Sequence, residues 1–174
     1  MSIRRPFNFK HWIDEHRHLL KPPVGNQCVY NDDDFIVMVV GGPNSRKDYH
    51  WDEGEELFYQ LEGDLTVQIQ EDGRPVDIRI REGEMFMLPP RIPHNPIRGA
   101  GTIGLVIERK RRDSELDGLM WFCENCNNKL YEEYFELTDI TTQFQGVFEK
   151  FYGSESLRTC MDCGVVMKLP KVVS

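Results

Sequence analysis

Four of the five cysteines stand in two C-x-x-C pairs, Cys123 and Cys126 in FCENC and Cys160 and Cys163 in TCMDC, with 33 residues between the pairs. Four thiolates at this spacing are the donor set of zinc-ribbon or rubredoxin-like knuckles. They fill every position of a tetrahedral ion and leave none for a substrate. The expectation is a structural Fe or Zn, because a tetrahedral sulfur site suits both metals. A redox dithiol or an electron-transfer iron are the alternatives. A second set of donors has different chemistry. His50, and Glu56 six residues later, lie in GPNSRKDYHWDEGEELFYQLEG (42–63), and His94 follows a proline-rich turn in GEMFMLPPRIPHNPIR (83–98). Two imidazoles and one carboxylate compose the facial triad that holds Fe(II) and leaves positions open for reaction. Each residue alone has a plainer reading as a satisfied histidine or a strand-end carboxylate, so the metal expectation rests on their arrangement.

The elements that must position these donors follow from periodicity. Residues 8–20, NFKHWIDEHRHLL, place Trp12, Ile13, His16, Leu19 and Leu20 on one helical face, with Asn8 as cap and Lys21-Pro22-Pro23 as the stop. Short β-type runs follow at Phe35 to Val40, Leu57 to Glu62, Leu65 to Gln70, Val76 to Ile80, Glu84 to Leu88 and Thr102 to Glu108, separated by Gly-, Asn- and Asp-rich turns. Many short strands without intervening helices predict an antiparallel sandwich or small barrel such as a jelly roll, whose mouth suits a small ligand. The charged stretch Arg109 to Glu115 reads as a solvated linker. Beyond it, Lys129 to Leu137 fits a strand, and Thr141 to Tyr152 fits a helix with Phe144, Val147, Phe148 and Phe151 on a packing face.

The 174 residues, 40% hydrophobic, suffice for one buried domain and a small appendage. With 29 acidic against 21 basic residues, a net charge of -8 disfavours nucleic acid. The N-terminus MSIRRPFNFKHW lacks a signal-type apolar stretch, and no window reaches membrane-span length, so no membrane partner and a cytoplasmic location are expected. In that setting metal ligation is a better reading of the paired cysteines than disulfides. Cys28 is left over, and a buried spare thiol is expected of it.

At the residues 42–63 and 83–98 the chain resembles the cupin superfamily, whose first motif is matched by His50, Glu56 and Gly63 and whose second by Gly83, Pro89 and His94. It departs from that pattern at Asp52, which replaces a ligand histidine, and at Arg91 and Arg98, which replace a glycine and an asparagine. Arg91 implies a looser turn. LLKPPVGN (19–26), VVGGPNSRKDYH (39–50), EELFYQLEG (55–63), LPPRIPHNPIR (88–98) and VIER (106–109) extend the similarity to the 3-hydroxyanthranilate 3,4-dioxygenase family over nearly the whole chain.

The resemblance implies a mainly β cupin jelly-roll barrel with an N-terminal helix. With the charged stretch 109–115 read as a boundary, the chain divides into a catalytic domain at 1–112 and a C-terminal metal-binding appendage at 113–174. The resemblance further implies Fe(II) on His50, Glu56 and His94, and a homodimer. The family's reaction is extradiol-type cleavage of 3-hydroxyanthranilate by O2 to 2-amino-3-carboxymuconate semialdehyde, the precursor of quinolinate on the kynurenine route to NAD. Bacterial and fungal members carry the four-cysteine site.

Such a substrate has a carboxylate, an amine and a hydroxyl on one flat ring. Arg98 suits the carboxylate by bidentate, charge-assisted bonds. Glu108 suits the amine or hydroxyl, or holds Arg98. Arg46 corresponds to the arginine on the oxygen side of the iron, and Asn26 to a residue lining the pocket. A turn arginine, an exposed strand-end glutamate and a local turn asparagine are the respective alternatives. Two rival functions stay open, another metal-dependent cupin activity on an aromatic ring and a non-catalytic ligand-binding module.

Overall fold

Strand alternation decides most of the architecture. In the computed structural model, residues 3–22, 25–31, 34–138 and 140–171 are described, with the side chains of 140–142 excepted. Helix α1 (Phe9–His16) begins where the Asn8 side chain accepts from the His11 amide, as the cap predicts. It ends sooner than its periodicity suggests, tightening into a 3₁₀ turn at Arg17–Leu19. That change of pitch buries Ile13 and Leu20 but turns Leu19 outward. Pro23 lies outside the described residues.

Among the described residues eleven strands follow: β1 (Asn26–Tyr30), β2 (Phe35–Gly41), β3 (Tyr49–Asp52), β4 (Glu56–Glu62), β5 (Leu65–Glu71), β6 (Arg74–Ile80), β7 (Met85–Leu88), β8 (His94–Arg98), β9 (Ile103–Arg109), β10 (Asp117–Phe122) and β11 (Lys129–Phe135). They form two antiparallel sheets, β1-β2-β9-β4-β7 and β11-β10-β3-β8-β5-β6. The eight strands β2 to β9 divide as β2-β9-β4-β7 against β3-β8-β5-β6, the interleaving of a jelly roll, as expected. The six anticipated strands correspond to β2, β4, β5, β6, β7 and β9, and the anticipated strand at 129–137 to β11.

Phe58, Leu65, Val67, Ile69, Ile80, Leu88 and Val106 fill one part of the space between the sheets. The inward row of β4 alternates Glu56, Phe58 and Gln60, and that of β9 alternates Gly104, Val106 and Glu108. A polar compartment therefore lies beside the apolar core, on the same inner faces.

The stretch 109–115 is not a solvated linker. Arg109 pairs with Glu115, and the Arg111 side chain, 11% exposed, folds back onto Asp52 and Asp117. Desolvating an arginine is costly unless such partners offset it, and composition alone does not reveal them. β10 then pairs with β3, so strands from before and after residues 112 and 113 share the six-stranded sheet. Helix α2 (Ile140–Gly153), close to its expected span, packs Phe144, Val147 and Phe151 on Leu119, Trp121 and Met167. The short α3 (Glu155–Arg158) leads into the second cysteine pair. Cys28 is exposed, contrary to expectation: it lies opposite Met38 on the same side of edge strand β1 as Asn26, and lines an open cavity with Glu108 and Arg111 that no further strand covers.

Candidate active site

Two cross-strand pairs build the centre. His50 and His94 are register partners on β3 and β8 in one sheet, and Glu56 and Glu108 are register partners on β4 and β9 in the other. The sheets face each other, so the four side chains converge. All four are buried, at 3–8% exposure. Ligand atoms of His50, Glu56 and His94 lie within 4.8 Å of one another. Gly54, between β3 and β4, sits in a turn closed by its amide on Asp52 Oδ1 at 2.7 Å. This turn sends His50 and Glu56 to different sheets instead of one face of one strand.

Hydrogen bonds orient both imidazoles. His94 Nδ1 lies 3.0 Å from the Ile92 carbonyl, which can only accept, so that nitrogen carries the proton and Nε2 faces Glu56. Nε2 is 2.9 Å from Glu56 Oε2, yet that buried oxygen has no aligned donor. His50 Nε2 lies 2.7 Å from Asp117 Oδ1. An imidazole lone pair and an orphaned carboxylate oxygen aimed at each other are the surroundings a cation would complete. Burial opposes ionisation of Glu56, but His94 and then His50 outweigh it and hold its carboxyl below the usual range. Burial likewise opposes protonation of His94, and Glu56 reverses the sign, holding it above the usual histidine value. Glu108 is pushed up, first by burial and then by Glu56 opposite.

Arg98, on β8 four residues beyond His94, is 4% exposed, and among the described residues its guanidinium meets only Gln60 Oε1, at 3.5 Å. Burial pulls its pKa down to about 10 against the opposing pull of Glu56, so it stays charged at neutral pH, with no carboxylate in ion-pair contact among the described residues. Glycine at 104 makes this placement possible: a Cβ there would stand 2.7 Å from Arg98 Nη1 and 2.8 Å from Gln60 Oε1. Glu108 does not hold Arg98, one of its two expected roles. It reaches Arg111 Nη1 at 3.0 Å instead. Arg46, 41% exposed, is gripped by Asp48 through Nε and Nη2, and its guanidinium lies over the rings of Phe144 and Phe148 at 5.8 and 5.6 Å.

One cavity of about 100 Å³ collects Asn26, Arg46, His50, Glu56, His94, Arg98 and Glu108, every residue singled out in the sequence for the barrel site. Phe144, read from sequence as packing alone, packs in the C-terminal core and also walls this cavity, 5.4 Å from the His50 ring. Asp52 is buried but points to Arg111 and the Gly54 turn. Arg91 adopts φ +64 itself, so the turn is as tight as a glycine would make it. Asp117 and Arg111 were not foreseen. The one available signal was an aspartate heading the apolar run DGLMWF.

The four cysteine sulfurs also lie within 4.8 Å of one another, with Cys123 to Cys163 and Cys126 to Cys160 both at 3.5 Å. The two knuckles share one backbone pattern. Asn127 and Gly164 donate to the carbonyls of Cys123 and Cys160, both at 2.9 Å, and those cysteines donate onward to Asn128 and Val165. Asn127 and Gly164 both take left-handed φ, +60 and +75, which asparagine and glycine accept most readily. Such a closed sulfur cage fits an ion with four ligands and no vacancy. The Asn127 amide further bonds Gln70 and the Gly73 carbonyl, tying the first knuckle to the β5–β6 hairpin.

The described residues contain no helix long and apolar enough to cross a membrane. Among solved structures, protein NMB1881 from Neisseria meningitidis has a TM-score of 0.49 and 22% identity, covering 61% of this chain and all of its own. A cupin-2 domain protein from Shewanella frigidimarina has a TM-score of 0.47 and 18% identity, covering 60% of this chain and 94% of its own. Sequence similarity is much stronger. The 3-hydroxyanthranilate 3,4-dioxygenase of Xanthomonas campestris is 57% identical over 166 residues, 95% of this chain and 94% of the relative. The enzyme of the same name from Neurospora crassa is 50% identical over 164 residues, 94% of this chain and 91% of its own. The family model for 3-hydroxyanthranilic acid dioxygenase matches residues 1–152. On that match and those identities, the chain belongs to the 3-hydroxyanthranilic acid dioxygenase family.

Proposed function

We propose that this chain opens the ring of 3-hydroxyanthranilate with O2, inserting both oxygen atoms between the hydroxyl-bearing carbon and its neighbour to give 2-amino-3-carboxymuconate semialdehyde. One observation carries the reading beyond family membership: Arg98, a buried guanidinium with no ion-pair partner among the described residues, shares a small cavity with two imidazoles and a carboxylate oriented as metal donors. A volume of about 100 Å³ suits a single ring, against about 300–1,000 Å³ for pockets that hold drug-sized ligands.

His50, Glu56 and His94 would hold Fe(II), which fits two nitrogens and one oxygen with open positions. When bound, Fe(II) supplies the redox chemistry that lets O2 react with the aromatic ring. The side chains do the rest. Arg98 takes the substrate carboxylate by its fork and so fixes the plane of the ring. Glu108, whose proton affinity is raised by burial and by Glu56, accepts the proton of the ring hydroxyl or amine at its carboxylate oxygen. Arg46, pinned by Asp48 and stacked on Phe144 and Phe148, offers positive charge to the cavity, and Asn26 lines the same cavity. Phe58, Val106 and Phe144 keep the compartment dry.

The four cysteines would hold a structural Fe or Zn. Five thiols free of disulfides suit a cytoplasmic location. A homodimer is part of the same proposal, and the exposed Phe35, Met85 and Met87 of the five-stranded sheet are its candidate contact.

Anaerobic reconstitution with Fe(II), followed by aerobic addition of 3-hydroxyanthranilate with product absorbance and O2 uptake recorded, tests the reaction. Rapid iron-dependent product is expected. Uptake only with other aromatics would keep the metal site and discard the substrate, and no uptake with any aromatic would sink the enzyme reading.

A further inference from the structure

The charged cluster behind His50 extends well past the three metal donors. Asp117 is fully buried and stands directly across from Asp52 on the neighbouring strand. Its Oδ1 meets His50 Nε2 at 2.7 Å. Arg111 grips the same carboxylate side-on, Nε to Oδ2 at 2.9 Å and Nη2 to Oδ1 at 2.6 Å. Nη2 also reaches Asp52 at 3.2 Å, and Nη1 lies 3.0 Å from Glu108. One guanidinium thus touches carboxylates on β3, β9 and β10. The two arginines that line the cavity do not share this load, because Arg98 meets Gln60 and Arg46 is held by Asp48. Facing aspartates repel, and buried carboxylates persist only with a cation among them.

We propose that Asp117 and Arg111 are positioning residues for the metal centre. Asp117 sets the ring orientation and tautomer of His50, and Arg111 locks Asp117 while aiming Glu108 at the cavity. This rests on the assignment of His50 as a ligand. A carboxylate that accepts from Nε2 keeps the proton there, frees the Nδ1 lone pair, and raises its strength as a donor. The fork matters as much as the charge, because a lysine ammonium has no planar array with which to hold Asp117 bidentate and reach Glu108 as well. A metal donor and the substrate-facing carboxylate are in this way set by a single side chain.

The test is anaerobic Fe(II) titration of wild type, Asp117→Asn and Arg111→Lys, with the electron paramagnetic resonance spectrum of the nitric oxide adduct recorded for each. Asp117→Asn conserves shape and removes the charge. It should weaken Fe(II) binding by about 10- to 100-fold, the usual cost of losing such a partner, and alter the rhombicity of the nitrosyl signal. Arg111→Lys should weaken binding less, alter the same signal, and raise KM for substrate through Glu108. Wild-type affinity and a wild-type signal in both variants would overturn the proposal and leave the pair a purely structural role. Should Asp117→Asn fail to fold by circular dichroism, Arg111→Lys decides alone by the same two readouts. Failure of the wild type itself to bind Fe(II) would instead sink the ligand assignment beneath it.

Discussion

The two donor clusters are assembled in opposite ways. Each cysteine pair lies within four residues of chain, and its geometry comes from a local turn repeated almost bond for bond at Cys123 and Cys160. The barrel donors come from β3, β4 and β8, in both sheets, and meet only when the His50–His94 and Glu56–Glu108 registers are in place. A cluster closed by local turns surrounds its ion, whereas one formed between two sheets can leave a side open to a cavity. Chemistry needs the open side, and long-range register supplies it.

Breaking that contrast gives the largest expected effects. His50→Ala or Glu56→Ala should lose bound iron and at least about 1,000-fold in turnover, since a ligand is worth more than the roughly 10- to 100-fold of an outer partner. Cys123→Ser should keep kcat within about threefold while losing at least about 3 kcal/mol of stability, in the range where loss of a structural metal belongs. Iron content, kcat and denaturant unfolding measured side by side check both. A Cys123→Ser protein that is fully folded but inactive would erase the contrast and point to a redox role. Arg98→Ala should lower kcat/KM by roughly 10- to 150-fold, about 1.5–3 kcal/mol for a hydrogen bond to a charged group, with iron still bound. Unchanged kinetics would remove Arg98 from the substrate site. Gly104→Ala crowds that same guanidinium and should raise KM about fivefold, roughly 1 kcal/mol, of the order of modest core overpacking. An unaltered KM would mean that Arg98 shifts freely.

The smallest effect concerns the stretch that carries Arg111. Arg109 holds Glu115 down at about 2, below its ordinary 4.5. A depressed carboxylate stabilises the fold fully above its ordinary value and progressively less as pH falls toward the folded one. Glu115→Gln should therefore cost about 1 kcal/mol or less at pH 7, and its stability should converge with wild type between pH 4.5 and 2. A gap independent of pH would show that packing, not charge, is lost.

The jelly roll was legible because β2, β4, β5, β6, β7 and β9 are short apolar or alternating runs bounded by turns. β3 and β10 were not, since YHWD and DGLMWF are buried on both faces and show no alternation. The donors themselves could be read as residue types near strand ends. What sequence withheld was pairing: nothing in Arg109 to Glu115 announces that Arg111 bends back to Asp52 and Asp117, contacts that exist only after β10 joins β3. Each cysteine knuckle was legible, because its turn closes within the next few residues, whereas the meeting of the two knuckles is a long-range contact.

Arg98 gives the fold an energetic asymmetry between its empty and filled forms. A guanidinium at 4% exposure with one long contact is a cost borne before any ligand arrives. A carboxylate entering beside it relieves that cost and is linked to folding by mass action, by about 2.7 kcal/mol at a hundredfold excess over Kd. Melting temperature is thus a readout of occupancy, able to rank flat aromatic acids as ligands even where none of them turns over.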